Sequence, residues 1–312
     1  MSEMKSVRKA FGHGLMLAAE RQASVVALVP DLTNSVGFGE FAERFPERFI
    51  QTGIAEQNII CVASGLAHVG KTAFVGAYAA FSPGRNWEQI RTTVCINDQP
   101  VKIIGSHAGL TVGPDGETHQ ALEDIAMMRV LPNMSVFAPA DAVEAEQMAL
   151  VLARYDHPAY IRYPRADMPV VFDKSYKFVI GKSVELQKGK DVVIFTTGTM
   201  LAAILEAAEI LEEEKVSVGV VHFPTIKPLD EKAIVKYAKK YGKIVTVEEH
   251  QIAGGFGSAV GEVLLSAGAH SAVDKFLRIG IEDEFGQSAS PDELLDFYGL
   301  SATKIAKKIK EM

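Results

Sequence analysis

Residues 49–66 read FIQTGIAEQNIICVASGL. A short β-prone run, Phe49 to Thr52, breaks at Gly53 and passes into an apolar stretch that suits a helix. A strand that hands on to a helix is the unit from which parallel sheets are built. One residue is out of keeping, since Glu56 places a carboxylate where the helix begins. An acid there complements the helix dipole. It equally suits a catalytic carboxylate at the mouth of a core, and the residues around it have to decide.

The same rhythm extends in both directions. β-Branched runs at 25–30, 72–78, 101–108, 134–139 and 159–164 alternate with helical patterns at 56–70, 84–98, 119–130 and 141–155. This predicts a mainly parallel sheet covered on both faces, with ligand-binding residues in the loops beyond the carboxyl ends of its strands. The stretch PRADMPVVFDKSYKFVIGKS (164–183) interrupts the pattern with two prolines and mixed charge. Beyond it DVVIFTTGT, VSVGVVHFP, GKIVTVEEH and FLRIGIEDEF alternate with helices from about 200, 229 and 256. The expected fold class is α/β in two domains, 1–170 and 190–312, each a mainly parallel sheet flanked by helices, with a linker at 171–189.

Composition narrows the function classes. The 312 residues are 48% hydrophobic and 23% charged, with a formal net charge of −7, which argues against a nucleic-acid surface. The lysines of KIAKKIKEM (304–312) read as the solvated face of a terminal helix. Cys61 and Cys95 have no CxxC partner and lie in apolar helical contexts, so both are expected to be buried free thiols in a reducing compartment. The first residues lack a signal-peptide pattern, and no apolar run approaches the about 20 residues of a membrane span. The simplest location is the cytoplasm.

Two glycine-rich stretches compete for a ligand. GGFGSAVGE (254–262) opens a helix, where glycines let a phosphate approach the N-terminus, but its spacing is not GxGxxG and helix–sheet packing accounts for it better. SHAGLTVGPDGETHQ (106–120) leaves a strand end, turns through Gly109, Gly113 and Gly116, and is expected to enter a helix near His119. A capped turn, with Thr118 on the helix and Asp115 in the turn, explains the glycines and the aspartate. It leaves His107 and His119 unexplained, and imidazoles suit proton transfer and hydrogen bonding to sugar hydroxyls. Arg8 on an amphipathic helix, Ser35 in a loop and Arg165 past a strand end are weak signals singly. A loop arginine is a plausible fork for phosphate.

In combination the motifs resemble one family. TGIAEQN, SHAGLTVGPDGETHQALEDIAMMRVLPNMSVFAPAD and IRYPR look like the pyrimidine-binding domain of transketolases. VHFPTIKPLD and VEEHQIAGGFGSAV are similar to their C-terminal domain. The GDG segment with which transketolases bind the diphosphate and its metal is absent; the DG of GPDGE belongs to the other motif. The chain therefore resembles the C-terminal subunit of a split transketolase. That implies an N-terminal transketolase subunit as partner, a dimer of this chain within a heterotetramer, sugar phosphates as substrates, and neither nucleic acid nor membrane.

The resemblance also implies roles. The cofactor would be thiamine diphosphate, with a divalent metal (Mg or Ca) bound mainly by the partner subunit. Glu56 would share a proton with the pyrimidine ring, Ile54, Ile59 and Ile60 supplying a low-dielectric surround that strengthens that bond. Tyr78 and Phe81 would pack on the ring, and Asp31 would lie near the cofactor. His119 would contact the pyrimidine amino group and the reacting carbonyl. His107, Ser35, Arg8 and Arg165 would bind the substrates' phosphate ends, and Asp115 the hydroxyl at sugar C2. The implied reaction moves a two-carbon ketol unit from a ketose phosphate to an aldose phosphate.

Four other readings stay open, of which the β subunits of 2-oxo-acid dehydrogenases share the architecture but lack the histidine-bounded SHAGLTVGPDGETH loop. 1-Deoxyxylulose-5-phosphate synthase shares a GIAEQ-type motif and RYPR, but resembles an arginine-containing variant where this chain has His107. A non-catalytic binding subunit would have little use for Glu56, His107, Asp115 and His119. A nucleotide-dependent dehydrogenase rests on GGFGSAVGE alone.

Overall fold

A computed structural model describes residues 3–312. The apolar runs of the first half form Val25–Val29, Phe49–Gln51, Thr72–Tyr78, Val101–Ser106, Ser135–Phe137 and Ala159–Tyr163, paired in parallel throughout. Their spatial order is Ser135–Phe137, Ala159–Tyr163, Val101–Ser106, Thr72–Tyr78, Val25–Val29, Phe49–Gln51. Thr225–Lys227, far along the chain, adds an antiparallel seventh strand beside Ser135–Phe137.

Strand residues alternate between two cores, as the period of two requires. Val25, Ala27 and Val29 pack with the helices Val7–Arg21 and Ala142–Leu152 on one face. Val26 and Leu28 pack with the helix Glu56–His68 on the other. The second half repeats the plan on a smaller scale, with the order Lys275–Ile281, Lys243–Gln251, Val192–Thr196, Val218–His222, Val184–Gln187. Its last member is antiparallel and the rest are parallel. The expected α/β class, with two mainly parallel sheets flanked by helices, is the one that forms.

The stretch between the two sheets is not a free tether. It contributes the edge strand Val184–Gln187, and Phe172 and Phe178 are buried. Asp141, wholly buried, caps the helix Ala142–Leu152 by accepting from the Glu144 N–H at 2.8 Å. Its other oxygen accepts the N–H groups of Val171 and Phe172, each at 2.8 Å. Glu144 in turn bonds the Tyr176 hydroxyl and, at 2.8 Å, His222 Nε2 of the second sheet. One carboxylate pair thus ties helix, connector and second sheet together.

Several expectations change on folding. The helix expected at 119–130 starts only at Asp124, because the preceding residues curl back on their own strand end. Gly109 N–H donates to Ala121 O at 3.0 Å, and Ala108 and Ala121 form a parallel bridge. The 84–98 helix is Trp87–Gln89 widening into a π-helical stretch, Ile90–Cys95. Cys95 is buried as expected, but Cys61 is exposed, since it lies on the outer face of Glu56–His68. In GGFGSAVGE the helix N-terminus is already occupied: Glu248 accepts the Phe256 and Gly257 N–H groups at 2.6 and 2.8 Å. A Cβ at Gly257 would lie 2.5 Å from Thr246 Oγ1, so packing is the reason for that glycine. No described helix is long and apolar enough to cross a membrane.

Removing Asp141 orphans three backbone donors at once, those of Glu144 and Phe172 buried and that of Val171 part-buried. Asp141→Ala is expected to lose about 3–5 kcal/mol in equilibrium urea unfolding, at about 1–3 kcal/mol per orphaned buried donor with partial relaxation. Asp141→Asn, which keeps one acceptor, should fall between wild type and the alanine variant. A wild-type midpoint for the alanine variant would mean that the connector is held by its apolar contacts alone.

Candidate active site

Parallel pairing puts the carboxyl ends of all six first-half strands on one edge of the sheet, and the candidate residues come from five neighbours in it. Val25–Val29 leads to Asp31 and Ser35, and Phe49–Gln51 to Glu56. Thr72–Tyr78 supplies Tyr78 and, just beyond, Phe81; Val101–Ser106 leads to His107, Asp115 and His119; Ala159–Tyr163 leads to Arg165. Arg8 joins them from the start of the helix Val7–Arg21.

Glu56 is the first residue of its helix and is 6% exposed. The N-cap position is Ala55, which makes no side-chain cap, and the Glu56 carboxylate is turned away from the helix amides toward Arg85, Nη1 to Oε1 at 3.2 Å. Its backbone carbonyl is held by the buried Asn86 amide at 2.9 Å. Ile59 and Ile60 are buried beneath it, whereas Ile54 is 72% exposed and gives it no apolar cover within this chain. That part of the low-dielectric surround expected around Glu56 is missing here, because Ile54 stands in the loop ahead of the helix and faces outward.

The aromatic side chains gather beside this acid. Tyr78 and Phe81 are nearly parallel with centroids 5.9 Å apart, and Tyr78 stacks on His107 at 3.8 Å. His119 meets Phe81 edge-on at 5.4 Å. Arg85 joins the two groups, its guanidinium lying 4.3 Å over the Phe81 ring while it pairs with Glu56. His107 has φ +56°, a left-handed turn that swings its ring under Tyr78, and its Nδ1 lies 2.8 Å from the Ser106 hydroxyl.

Positive charge converges on His107. Burial first, and then the neighbouring charges of Arg8, Arg165 and His119, push its pKa down from 6.5 to about 3. Arg165 is pinned through Nη1 to Val112 O and Asp115 Oδ1 at 3.1 and 3.2 Å. Arg8 Nη1 donates to the Ser35 carbonyl at 2.7 Å, while its Nε is buried without a partner among the described residues. A buried guanidinium N–H with no partner among the described residues is a donor of the kind a phosphate or carboxylate takes. Asp31 stands apart: it is exposed, and only its carbonyl is engaged, by Gln51 Nε2 at 3.4 Å.

Sequence reasoning missed the residues that brace this set. Arg85 and Asn86 follow Phe81 in a stretch read only for its aromatics. Asp124, Tyr160 and Arg162 form a buried network, with Tyr160 Oη and Arg162 Nε 2.7 and 2.9 Å from Asp124 Oδ2. Glu249 faces them from the second sheet. A lone charge, Arg162, inside the otherwise apolar strand AYIRY, and paired acids in VTVEEH, were the available signals.

The chain as a whole has counterparts among known proteins. Residues 3–170 match the transketolase pyrimidine-binding domain, and residues 181–305 the transketolase C-terminal domain. A protein of Methanocaldococcus jannaschii, named as a transketolase C-terminal section, is 44% identical over 98% of this chain and 96% of its own length. A 1-deoxy-D-xylulose-5-phosphate synthase of Heliobacterium modesticaldum is 40% identical over 94% of this chain but only 44% of its own length. The solved structure titled a split gene transketolase, an inactive β4 tetramer, superposes with a TM-score of 0.90 at 40% identity over 98% of both chains. Against the transketolase of Campylobacter jejuni, at 22% identity, the likeness is one of fold: TM-score 0.83, with this chain spanning 47% of that one. With the two domain matches together spanning nearly the whole chain, this chain belongs to the transketolase family.

Proposed function

We propose that the chain is the C-terminal subunit of a thiamine-diphosphate-dependent transketolase. Joined to an N-terminal subunit, it transfers a two-carbon ketol unit from a ketose phosphate to an aldose phosphate. The observation that carries this reading is the buried Glu56 carboxylate beside the stacked Tyr78 and Phe81, with two histidines and two arginines on the same sheet edge. The residues suit the cofactor's pyrimidine: an aromatic face to lie on, and an acid whose only side-chain partner among the described residues is the half-exposed Arg85. When bound, thiamine diphosphate supplies a nucleophilic carbon and accommodates the electron pair of the broken C–C bond.

The chain's own residues would do the rest. Glu56 holds a proton at a pyrimidine ring nitrogen, and Tyr78 and Phe81 orient the ring by stacking. His107, kept neutral by burial and by its cationic neighbours, can offer one ring nitrogen as donor or acceptor to a substrate oxygen without adding charge. His119, at the edge of Phe81, is placed to exchange a proton with the reacting oxygen. Arg8 and Arg165 bind the phosphate ends. Asp115, paired with Arg165, takes a sugar hydroxyl. Asp31 reaches the cofactor only when a second chain brings it close. The divalent metal and the diphosphate belong to the N-terminal subunit.

The 40% identity to a synthase keeps one other reaction in view, decarboxylation of pyruvate and coupling to an aldehyde. A relative from Phocaeicola vulgatus, named as one of the subunits of an apulose-4-phosphate transketolase, is 35% identical over 99% of this chain and 98% of its own length. It widens the range of ketose donors to be tried. The isolated chain should be inert with ketose and aldose phosphates. Adding the N-terminal subunit, thiamine diphosphate and a divalent metal should create turnover. Activity with pyruvate and none with ketose phosphates would turn the assignment to the synthase, and full turnover by the lone chain would refute the split.

In the reconstituted complex Glu56→Gln keeps the side chain's size and removes its acid. Turnover should fall by about 10²–10⁴-fold, the usual span for a lost proton-transfer group, with assembly unchanged by gel filtration. Wild-type turnover would instead favour a binding subunit. A second test reads His107 directly. Its folded pKa lies below the ordinary 6.5, so it adds stability above that value which is lost as the pH falls toward about 3. Its ring signals in NMR of the isolated chain should therefore show no titration between about pH 5 and 8; a midpoint near 6.5 would contradict the burial described above.

A further inference from the structure

We propose that Glu249, on the second sheet, is a positioning residue for the loop that carries His107 and His119. It lies near the end of the strand Lys243–Gln251 and is 4% exposed. Its Oε1 accepts the Thr111 N–H at 2.7 Å, four residues beyond His107. Its Oε2 lies 3.5 Å from the Thr199 hydroxyl, so the carboxylate is steered from its own half as well.

The loop is shaped around this carboxylate. Gly109 has φ +88°, and a Cβ there would stand 2.4 Å from Glu249 Oε1 and 2.5 Å from its Cδ. Both the backbone angle and the space therefore demand glycine. Arg162, also buried, completes a clamp: Nη1 and Nη2 each donate to the Glu249 carbonyl at 3.2 Å, and Nη2 reaches Ala121 O at 3.5 Å. Since Gly109 N–H closes on the same Ala121 carbonyl, the two ends of the loop are fastened at one point. Glu249 and Arg162 hold that point from opposite sheets.

Burial raises the pKa of Glu249, with Arg162 and the Thr111 and Leu110 amides opposing it. The acid thus carries a desolvation cost for a contact whose beneficiary is the loop. A wholly apolar seam between the sheets would serve stability as well. The geometry instead commits a charged group to the spacing between His107 and His119. The consequence for catalysis rests on the transketolase reading; the mechanical coupling does not.

Two variants loosen the clamp from different sides. Glu249→Ala removes the acceptor, and Gly109→Ala leaves Glu249 intact but drives its carboxylate off the loop. In the isolated chain each should let His107 leave its buried place under Tyr78, so that its ring signals titrate with a midpoint moved up toward 6.5, whereas Glu249→Gln, still able to accept the Thr111 N–H, restores the silent signal. In the reconstituted complex the alanine variants should lose about tenfold or more in kcat/KM for the sugar phosphate, the size of effect expected when a reacting group is misplaced. A silent His107 in both alanine variants would overturn the coupling whatever the enzyme does. Titration without any change in kcat/KM would leave the coupling intact and refute its catalytic role. If the complex has no transketolase activity at all, the titration alone decides between a clamp and a passive seam.

Discussion

The parallel pairing of Val101–Ser106 with Thr72–Tyr78 on one side and Ala159–Tyr163 on the other is the constraint on which the site depends. Parallel strands end on the same edge, so the residues that follow them are brought together without any contact between them in sequence. Tyr78 and Ser106 stand opposite each other in register, which is why the next residue, His107, can stack on Tyr78. A slip of one residue would move every side chain of the strand to the opposite core. The apolar alternation of Val25–Val29 between two cores keeps the neighbouring strand from making that slip.

The same edge explains why two glycine-rich stretches behave so differently. Phe256–Ser266 presents free amides at its N-terminus, the usual seat of an anion. The acceptor seated here is the chain's own Glu248 carboxyl, whose burial pushes its pKa up to about 8 even though both amides favour its charge. With the seat filled from within, Gly255 and Gly257 are needed for close packing. Near the 106–120 loop, by contrast, Arg8 Nε has no partner among the described residues, and the Arg165–Asp115 pair is part-exposed. The difference is one of donors already engaged against donors still available.

Much of this was legible in the sequence because it rests on local patterns. Strands buried on both faces read as continuous apolar runs, and the positions of the loop residues follow once the strands are parallel. His107 and His119 were visible as imidazoles that a capped turn does not require, whereas Glu56 and Arg165 gained a role only through the family resemblance. The late start of Asp124–Arg129 was not visible, because the competitor of the helix is a tertiary bond, Gly109 N–H to Ala121 O. Nor was the exposure of Cys61, an apolar-looking residue on a helix whose outer face this chain leaves open. Thr225–Lys227 was hidden because it pairs with Ser135–Phe137, a strand from the other half of the chain. Glu249 and Arg162 sit in strands whose pattern marks them only as exceptions, and their partners come from the other sheet.

The open face around Glu56 bears on the proposed division of labour. A carboxylate that shares a proton with a weak base needs low dielectric on every side, since water competes for both. Ile59 and Ile60 supply it from below, but Ile54 is turned to solvent and the Arg85 side chain, 52% exposed, is the group that covers the acid from above. Arg85 makes the two contacts a flat heterocycle would make in its place, stacking on Phe81 and bonding to Glu56. Arg85 is half-exposed, so its guanidinium can leave both contacts to a better-fitting partner and still reach solvent. The chain therefore carries the acid, the aromatic face and the histidines, and leaves unmade the apolar roof that would render the acid effective. On the transketolase reading that roof is the surface of the N-terminal subunit, and the exposed Ile54 beside it is the part of this chain that the roof would dry.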